Sequence, residues 1–264
     1  MWSGLSPGAG AVFTEIPYNP RMQQMAAPVF RAALNSFMLL GIPGCDGVFH
    51  HCPQTGCSTA ADESVGGLIS MHIPVCGRTQ KNEPHDTLRY AVMVIFREAG
   101  LGDVLMEPAG MTVQGQYRPG DVVGTKGDAI VLVDVRTAHL GSDSNLTMAH
   151  KGYGVLCEHW EKSKLEDLAR RKGALSSDSM VFHPFVVDSF GCMGPRAHAL
   201  LTELAQWAVA HGQIRVGDIS GQDPVSLLRA RWRAYISCAV LGGYASRVRL
   251  YASVARAPVS LVPD

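Results

Sequence analysis

Apolar residues recur at helical spacing along residues 22–40 (MQQMAAPVFRAALNSFMLL), where Pro28 kinks or divides the helix and Gly41 and Pro43 end it. A second helix is predicted over residues 87–99, stopping at Gly100. The pattern then shifts from helix to strand at residues 104–106, 111–116 and 129–135, with Pro108, Gly110 and the GTKGD turn as breaks. Residues 151–172 return to helix, rich in Glu, Lys and Arg, and MVFHPFVVDSF reads as a strand. Residues 195–210 predict a helix with proline in its first turn, and residues 224–251 a helix interrupted at Gly242 and Gly243. The order helix, three strands, helix, strand, helix predicts a mixed α/β core, with no internal repeat or low-complexity tract.

Composition narrows this picture. A chain of 264 residues, 47% hydrophobic and 17% charged, can bury a sizeable core and is not expected to be disordered over most of its length. Lys plus Arg equals Asp plus Glu at 23 each, so any nucleic-acid contact must come from a local patch, and no pull toward an anionic membrane exists. The Gly- and Pro-rich start, MWSGLSPGAGAVFTEIPYNP, lacks both a basic leader and a long apolar run, which argues against a signal peptide or a membrane span. Seven cysteines do not suggest a secreted disulfide framework, so an intracellular, reducing compartment is expected; nucleus, cytoplasm and organelle are not distinguished.

Candidate chemistry centres on RPGDVVGTKGDAIVLVDVR, residues 118–136, where Asp121 and Asp134 stand thirteen positions apart. If two strands pair through the GTKGD turn, the acids come to neighbouring positions at one end of the sheet. Close carboxylates repel unless a cation lies between them, and hard oxygen ligands suit Mg²⁺ or Mn²⁺. The alternative is a pair of solvated acids at strand ends. The cysteine-rich stretch offers Cys52, Cys57, His72 and Cys76, with Cys45, His50 and His51 as substitutes; thiolate and imidazole ligands suit tetrahedral Zn²⁺, and buried free thiols are the alternative. Cys157, Cys192 and Cys238 are isolated in sequence and read as core residues.

The order Pro119, Asp121, then Asp134 after a hydrophobic strand, then a lysine in the next helix, resembles the PD-(D/E)xK nuclease pattern in its migrated-lysine form. The flanks CPQTGC, GGLISMHIPVC, PHDTLRYAVMVIFREAG, LMEPAG, AIVLVDV, FHPFVVDSFGCMGPRA and LLRARWRAYISCAV, in that order, resemble the C-terminal region of site-specific non-LTR retrotransposon polyproteins, where a Cys/His knuckle precedes a restriction-like endonuclease. The resemblance covers roughly residues 22–250 and implies a restriction-endonuclease-like mixed sheet flanked by helices. It divides the chain into an N-terminal tail and helix (1–44), a zinc-knuckle-like segment (45–80), an endonuclease core (81–212) and an Arg-rich helical extension (213–264).

Carried over to this chain, the resemblance implies that Asp121 and Asp134 hold Mg²⁺ or Mn²⁺ and that Cys52, Cys57, His72 and Cys76 hold a structural Zn²⁺. The position after the second acid is Arg136, a poor proton acceptor, so the catalytic lysine is expected from EHWEKSKLEDLARR: Lys164 first, Lys162 second. Both are otherwise ordinary helix lysines that pair with Glu158 and Glu161. Glu107, ahead of Pro108, matches the family's additional acid. His85 and Asp86 match its Arg-His-Asn/Asp element, with Pro84 in place of the arginine; on its own terms His85 reads as a helix-start residue. Between residues 226 and 256 stand six arginines and no acid, and Arg229, Arg233, Arg247 and Arg249 are candidates for nucleic-acid contact, or else form a solvated face behind an inward Trp232 and Tyr235.

Because the family's endonuclease is fused to a reverse transcriptase that this chain does not contain, the resemblance implies a detached, retroelement-derived endonuclease that cleaves or binds DNA or RNA. The alternative is a domesticated, inactive nuclease fold serving as an RNA-binding or structural subunit of a ribonucleoprotein assembly such as an organellar ribosome.

Overall fold

A computed structural model describes residues 83–108, 110, 111, 118, 120–140, 143–152, 154–170, 175, 177–213 and 223–256, with side chains of the last helix described as far as Arg247. The expected helix at 22–40, the cysteine-rich segment with Cys52, Cys57, His72 and Cys76, the expected strand at 111–116 and the Arg249 side chain lie outside the described residues.

In chain order the elements are α1 (Glu83–Glu98), β1 (Gly102–Met106), β2 (Val122–Lys126), β3 (Ala129–Ala138), α2 (Asp143–His150), α3 (Val155–Arg170), β4 (Met180–Asp188), α4 (Pro195–Ala210) and α5 (Pro224–Arg256). The strands form one mixed sheet in the order β1-β2-β3-β4, antiparallel for the first two pairs and parallel between β3 and β4. Pro184 of β4 faces Asp134 of β3, and β4 is an edge strand, where a residue without an N–H is tolerated.

The hairpin between β2 and β3 turns through Gly127 and Asp128, and Gly127 at φ +59° supplies the left-handed first position that a tight turn needs. Its register runs from Lys126 opposite Ala129 to Val122 opposite Val133. β3 then continues four residues beyond Asp134, because β4 supplies a partner along its whole length. Asp134 is therefore mid-strand, not at a strand end.

β3 is buried on both faces, and its two faces do different things. Val131, Val133 and Val135 join Leu88, Val92 and Phe96 of α1, Leu200 and Leu204 of α4, and Trp232 and Ile236 of α5 in the main core. Positions 134, 136 and 138 face α3: Asp134 meets Lys164, Arg136 meets Trp160, and Ala138 shares a second cluster with Leu156 and Cys157. Two strand residues advance about 6.7 Å and four helix residues about 6 Å, so the antiparallel helix keeps step with the strand.

Three elements depart from the sequence expectation. A separate short helix, α2, precedes α3; its apolar residues are too evenly spread around the helix to give an amphipathic signal. α1 begins at Glu83, with Glu83 and Asp86 in its first turn, where acids favour the helix dipole. α5 runs unbroken through Gly242 and Gly243. There the absence of a side chain permits contact: a Cβ on Gly243 would lie 2.8 Å from Pro84 Cα and 2.7 Å from the Thr87 hydroxyl of α1. Thr87 donates a 3.0 Å hydrogen bond to the Ala239 carbonyl, and at the other end of α1 the Trp232 indole donates to Glu98 at 2.8 Å. α1 is thus clasped to α5 at both ends.

Candidate functional site

The hairpin register that pairs Val122 with Val133 places Asp121 opposite Asp134 one step further on. Asp121 is fixed from three directions. Its N–H donates to the Val133 carbonyl at 2.7 Å, its carbonyl accepts from the Glu107 N–H at 2.7 Å, and its Oδ2 accepts from the Val135 N–H at 2.8 Å. The side chain thus extends the ladder beyond the end of β2. The first turn of α1 then brings His85 Nε2 to 3.4 Å from the same Oδ2, while His85 Nδ1 lies 3.3 Å from Asp86.

Asp134 receives Lys164 of α3, with Nζ 2.5 Å from Oδ2. Both side chains are largely shielded from water, which strengthens the attraction relative to an exposed pair. The two carboxyl groups lie close enough to perturb each other in opposite directions. Burial pushes Asp134 up to about 6, against the charge of Lys164 and with the repulsion of Asp121. For Asp121 burial also works upward, but the His85 hydrogen bond and charge, the Val135 N–H and the Asp134 side chain outweigh it and hold the group below its ordinary value. His85 is in turn raised, chiefly by its hydrogen bond to Asp121.

This donor set fits a divalent cation. Two carboxylates set opposite each other by the hairpin register present hard oxygens to a common point, and a cation there would offset their repulsion. Asp121 and Asp134 would hold it.

The other expected residues separate into distinct positions. Lys162 is exposed on α3 and forms no part of the cluster, because it lies off the face that Trp160 and Lys164 turn toward β3. Lys164 pairs with β3 and not with Glu161, whose carboxylate accepts the Arg196 and Ala197 N–H groups at 3.1 and 3.0 Å at the start of α4. Glu107 borders the site through its backbone, but its carboxylate is held by Arg89 and, at 3.2 Å, by Arg118. Its φ of +51°, uncommon for a residue with a Cβ, turns the chain away from β1.

On α5, Arg229 and Arg233 are half-buried and lie near His198 of α4, whose pKa burial and these two charges lower. Arg247 is only 4% exposed, which removes it from the helix surface on which a phosphate contact was expected.

Arg89 escaped the sequence reading, and so did the packing of Arg136. Arg89 stands one helical turn after His85 and bridges Asp86, at 3.4 Å, and Glu107, so a guanidinium reaches this edge although Pro84 occupies the expected arginine position. The spacing HDTLR is the signal that could have shown it. Arg136 lies flat over the Trp160 ring, 3.4 Å from its centroid, with its charge near Asp134 and Asp167. Nothing in the sequence joins positions 136 and 160. No protein-family model matches the chain, and no curated protein matches it.

Proposed function

We propose that the protein is a metal-dependent phosphodiester endonuclease acting on nucleic acid, with Asp121, Asp134 and Lys164 at its centre. The observation that carries this reading is the convergence of two carboxylates and one amine, from the residue before β2, the middle of β3 and α3. A bound Mg²⁺ or Mn²⁺ supplies Lewis-acid polarisation of the phosphate and a more acidic water.

The chain's own residues do the rest. His85 and the Val135 N–H hold Asp121 in one orientation. Lys164, held beside Asp134, would place positive charge where the cleaved phosphate gains negative charge. Arg136, flat on Trp160, keeps a guanidinium beside that phosphate but does not serve as a base. A restriction-endonuclease-like fold of retroelement origin, with a zinc knuckle ahead of it, is the wider form of the same proposal.

The test is nicking of supercoiled plasmid and of structured RNA with Mg²⁺. Wild-type protein is expected to cleave and Asp134→Ala to lose cleavage; equal cleavage by both, or by neither, overturns the reading.

One observation favours a second reading, a catalytically inactive RNA-binding or structural subunit of a ribonucleoprotein. Each acid of the cluster already has a basic partner from within the chain: His85 for Asp121, Lys164 for Asp134, Arg89 and Arg118 for Glu107. A site neutralised in this way is stable without metal. Retained nucleic-acid binding, with no cleavage by the wild type at any Mg²⁺ or Mn²⁺ concentration, is the outcome that selects it.

A further inference from the structure

Two turns before Lys164 along the same face of α3, three donors from three elements meet in the interior. Cys157 comes from the first turn of α3, Asp188 ends β4, and Cys192 lies in the turn that leads to α4. They are 1%, 7% and 3% exposed, and their Sγ and carboxylate oxygen atoms all lie within 4.8 Å of one another. Backbone geometry holds the group together. Asp188 Oδ1 accepts the Phe190 and Cys192 N–H groups at 2.9 Å each, Gly191 takes φ +83° to close the turn, and the Cys157 thiol donates to the Cys192 carbonyl at 3.3 Å.

The carboxylate is the informative member. Two buried cysteines alone fill space as small apolar side chains, but a buried carboxylate is costly unless a cation or a full set of hydrogen bonds offsets it. Among the described residues no Lys or Arg forms an ion pair with Asp188. The neighbouring buried acid, Glu161, is already engaged with the amides of α4 and is not available to the group.

We infer that Cys157, Cys192 and Asp188 form a structural binding site for a thiophilic divalent cation, Zn²⁺ being the ordinary occupant. Tetrahedral zinc with Zn–S near 2.3 Å and Zn–O near 2.0–2.2 Å sets neighbouring ligand atoms about 3.5–3.8 Å apart. The group needs only a small contraction to reach that spacing. Binding displaces the two thiol protons, and the proton of Asp188 where it is protonated, to solvent and leaves a fourth position for water. The ion would tie the start of α3 to the end of β4, and so fix the helix that carries Lys164 without touching the carboxylate pair. The site uses none of the cysteines of residues 45–80 and does not depend on the proposed endonuclease activity.

The full-length chain, purified under reducing conditions, is loaded with Zn²⁺ or Co²⁺. Bound metal is counted by mass spectrometry after gel filtration, and thiolate-to-Co²⁺ charge-transfer absorption is recorded. Cys157→Ala and Cys192→Ala are expected each to lose one equivalent relative to wild type and to weaken the charge-transfer band. Asp188→Asn, which keeps an acceptor for the Phe190 and Cys192 amides, is expected to weaken binding by roughly tenfold or more. Cys52→Ser with Cys57→Ser is expected to leave this equivalent in place.

Metal content in Cys192→Ala and Asp188→Asn equal to that of wild type overturns the site. So does recovery of Cys157 and Cys192 as a metal-free disulfide from the reduced and metal-loaded protein. If Cys157→Ala does not fold, the other two variants carry the comparison alone.

Discussion

The paired acids give the sharpest chemistry at the scale of single residues. The folded protein holds the Asp134 proton up to about pH 6, against 3.8 for the ordinary group, so it binds that proton more tightly than the unfolded chain does. The contribution of this group to stability is therefore fully present below about pH 4 and is lost as pH rises through about 6, with a slope of at most roughly 1.4 kcal/mol per pH unit. Thermal unfolding with EDTA from pH 4.5 to 7.5 is expected to show this loss, and Asp134→Asn is expected to remove that part of the slope. Mg²⁺ is expected to restore stability above pH 6 in the wild type only, because below that pH the proton competes for the same oxygens.

Lys164 offers an independent check on the same cluster. Lys164→Met leaves Asp134 buried without its cation, and if the site is catalytic, cleavage is expected to fall by roughly 10²–10³-fold, while Lys164→Arg retains the charge and the fold. Circular dichroism of both variants beside the nicking assay separates lost chemistry from lost structure. The sequence placed these two residues in the same argument but could not show their contact, which depends on which face of α3 meets β3. Arg136 and Trp160 were hidden for the same reason: 24 positions separate them, and only tertiary packing stacks one on the other.

Among elements, local pattern was informative wherever burial was one-sided or complete. The apolar run of β3, and α4 with Pro195 at its start, follow directly from periodicity and from proline's fit to a first helical turn. The pattern failed at α5, where Gly242 and Gly243 look like a break in isolation. Tertiary contact reverses their meaning, since α1 approaches the helix where Gly243 has no side chain. Gly243→Ala is accordingly expected to destabilise the protein by about 1–3 kcal/mol despite alanine's better helix propensity, as read by denaturant unfolding. Because α1 carries His85, the same substitution is expected to shift the His85 imidazole NMR titration.

α3 and α4 are joined through Glu161, whose carboxylate caps the first amides of α4. Glu161→Ala leaves those N–H groups buried without acceptors and is expected to cost about 1–3 kcal/mol in unfolding free energy. Lys162→Ala, on the exposed face of the same helix, is expected to change stability by no more than about 0.5 kcal/mol.

For the whole molecule, the balanced charge of 23 basic and 23 acidic residues limits any nucleic-acid contact to a few phosphates. The structure narrows the candidates further by burying Arg247 and setting Arg229 and Arg233 partly against α4. Filter-binding or anisotropy measurements across salt concentration are expected to give a shallow dependence, with a log–log slope of magnitude about 2–4 and each released phosphate contact contributing about 0.9 for duplex DNA. Arg229→Gln with Arg233→Gln is expected to reduce that slope.

The overall α/β class and the strands β1, β3 and β4 could be read from the chain because each is a local pattern, whereas β2 at Val122–Lys126 was not among the expected strands. The group formed by Cys157, Asp188 and Cys192 could not, because its members belong to three elements and look, one at a time, like ordinary interior residues.

The two-residue turn at Gly127 and Asp128 acts as a vernier for the chemistry. It sets how far β2 slides along β3, and the same setting decides which β3 side chains enter the core and which meet α3. One added residue there would bring Asp121 abreast of Val135 in place of Asp134, with every acid and base still in the chain but the two carboxylates parted. Tolerance of insertions, mapped along this hairpin, is expected to collapse at that turn, because core packing and site assembly share a single mechanical adjustment.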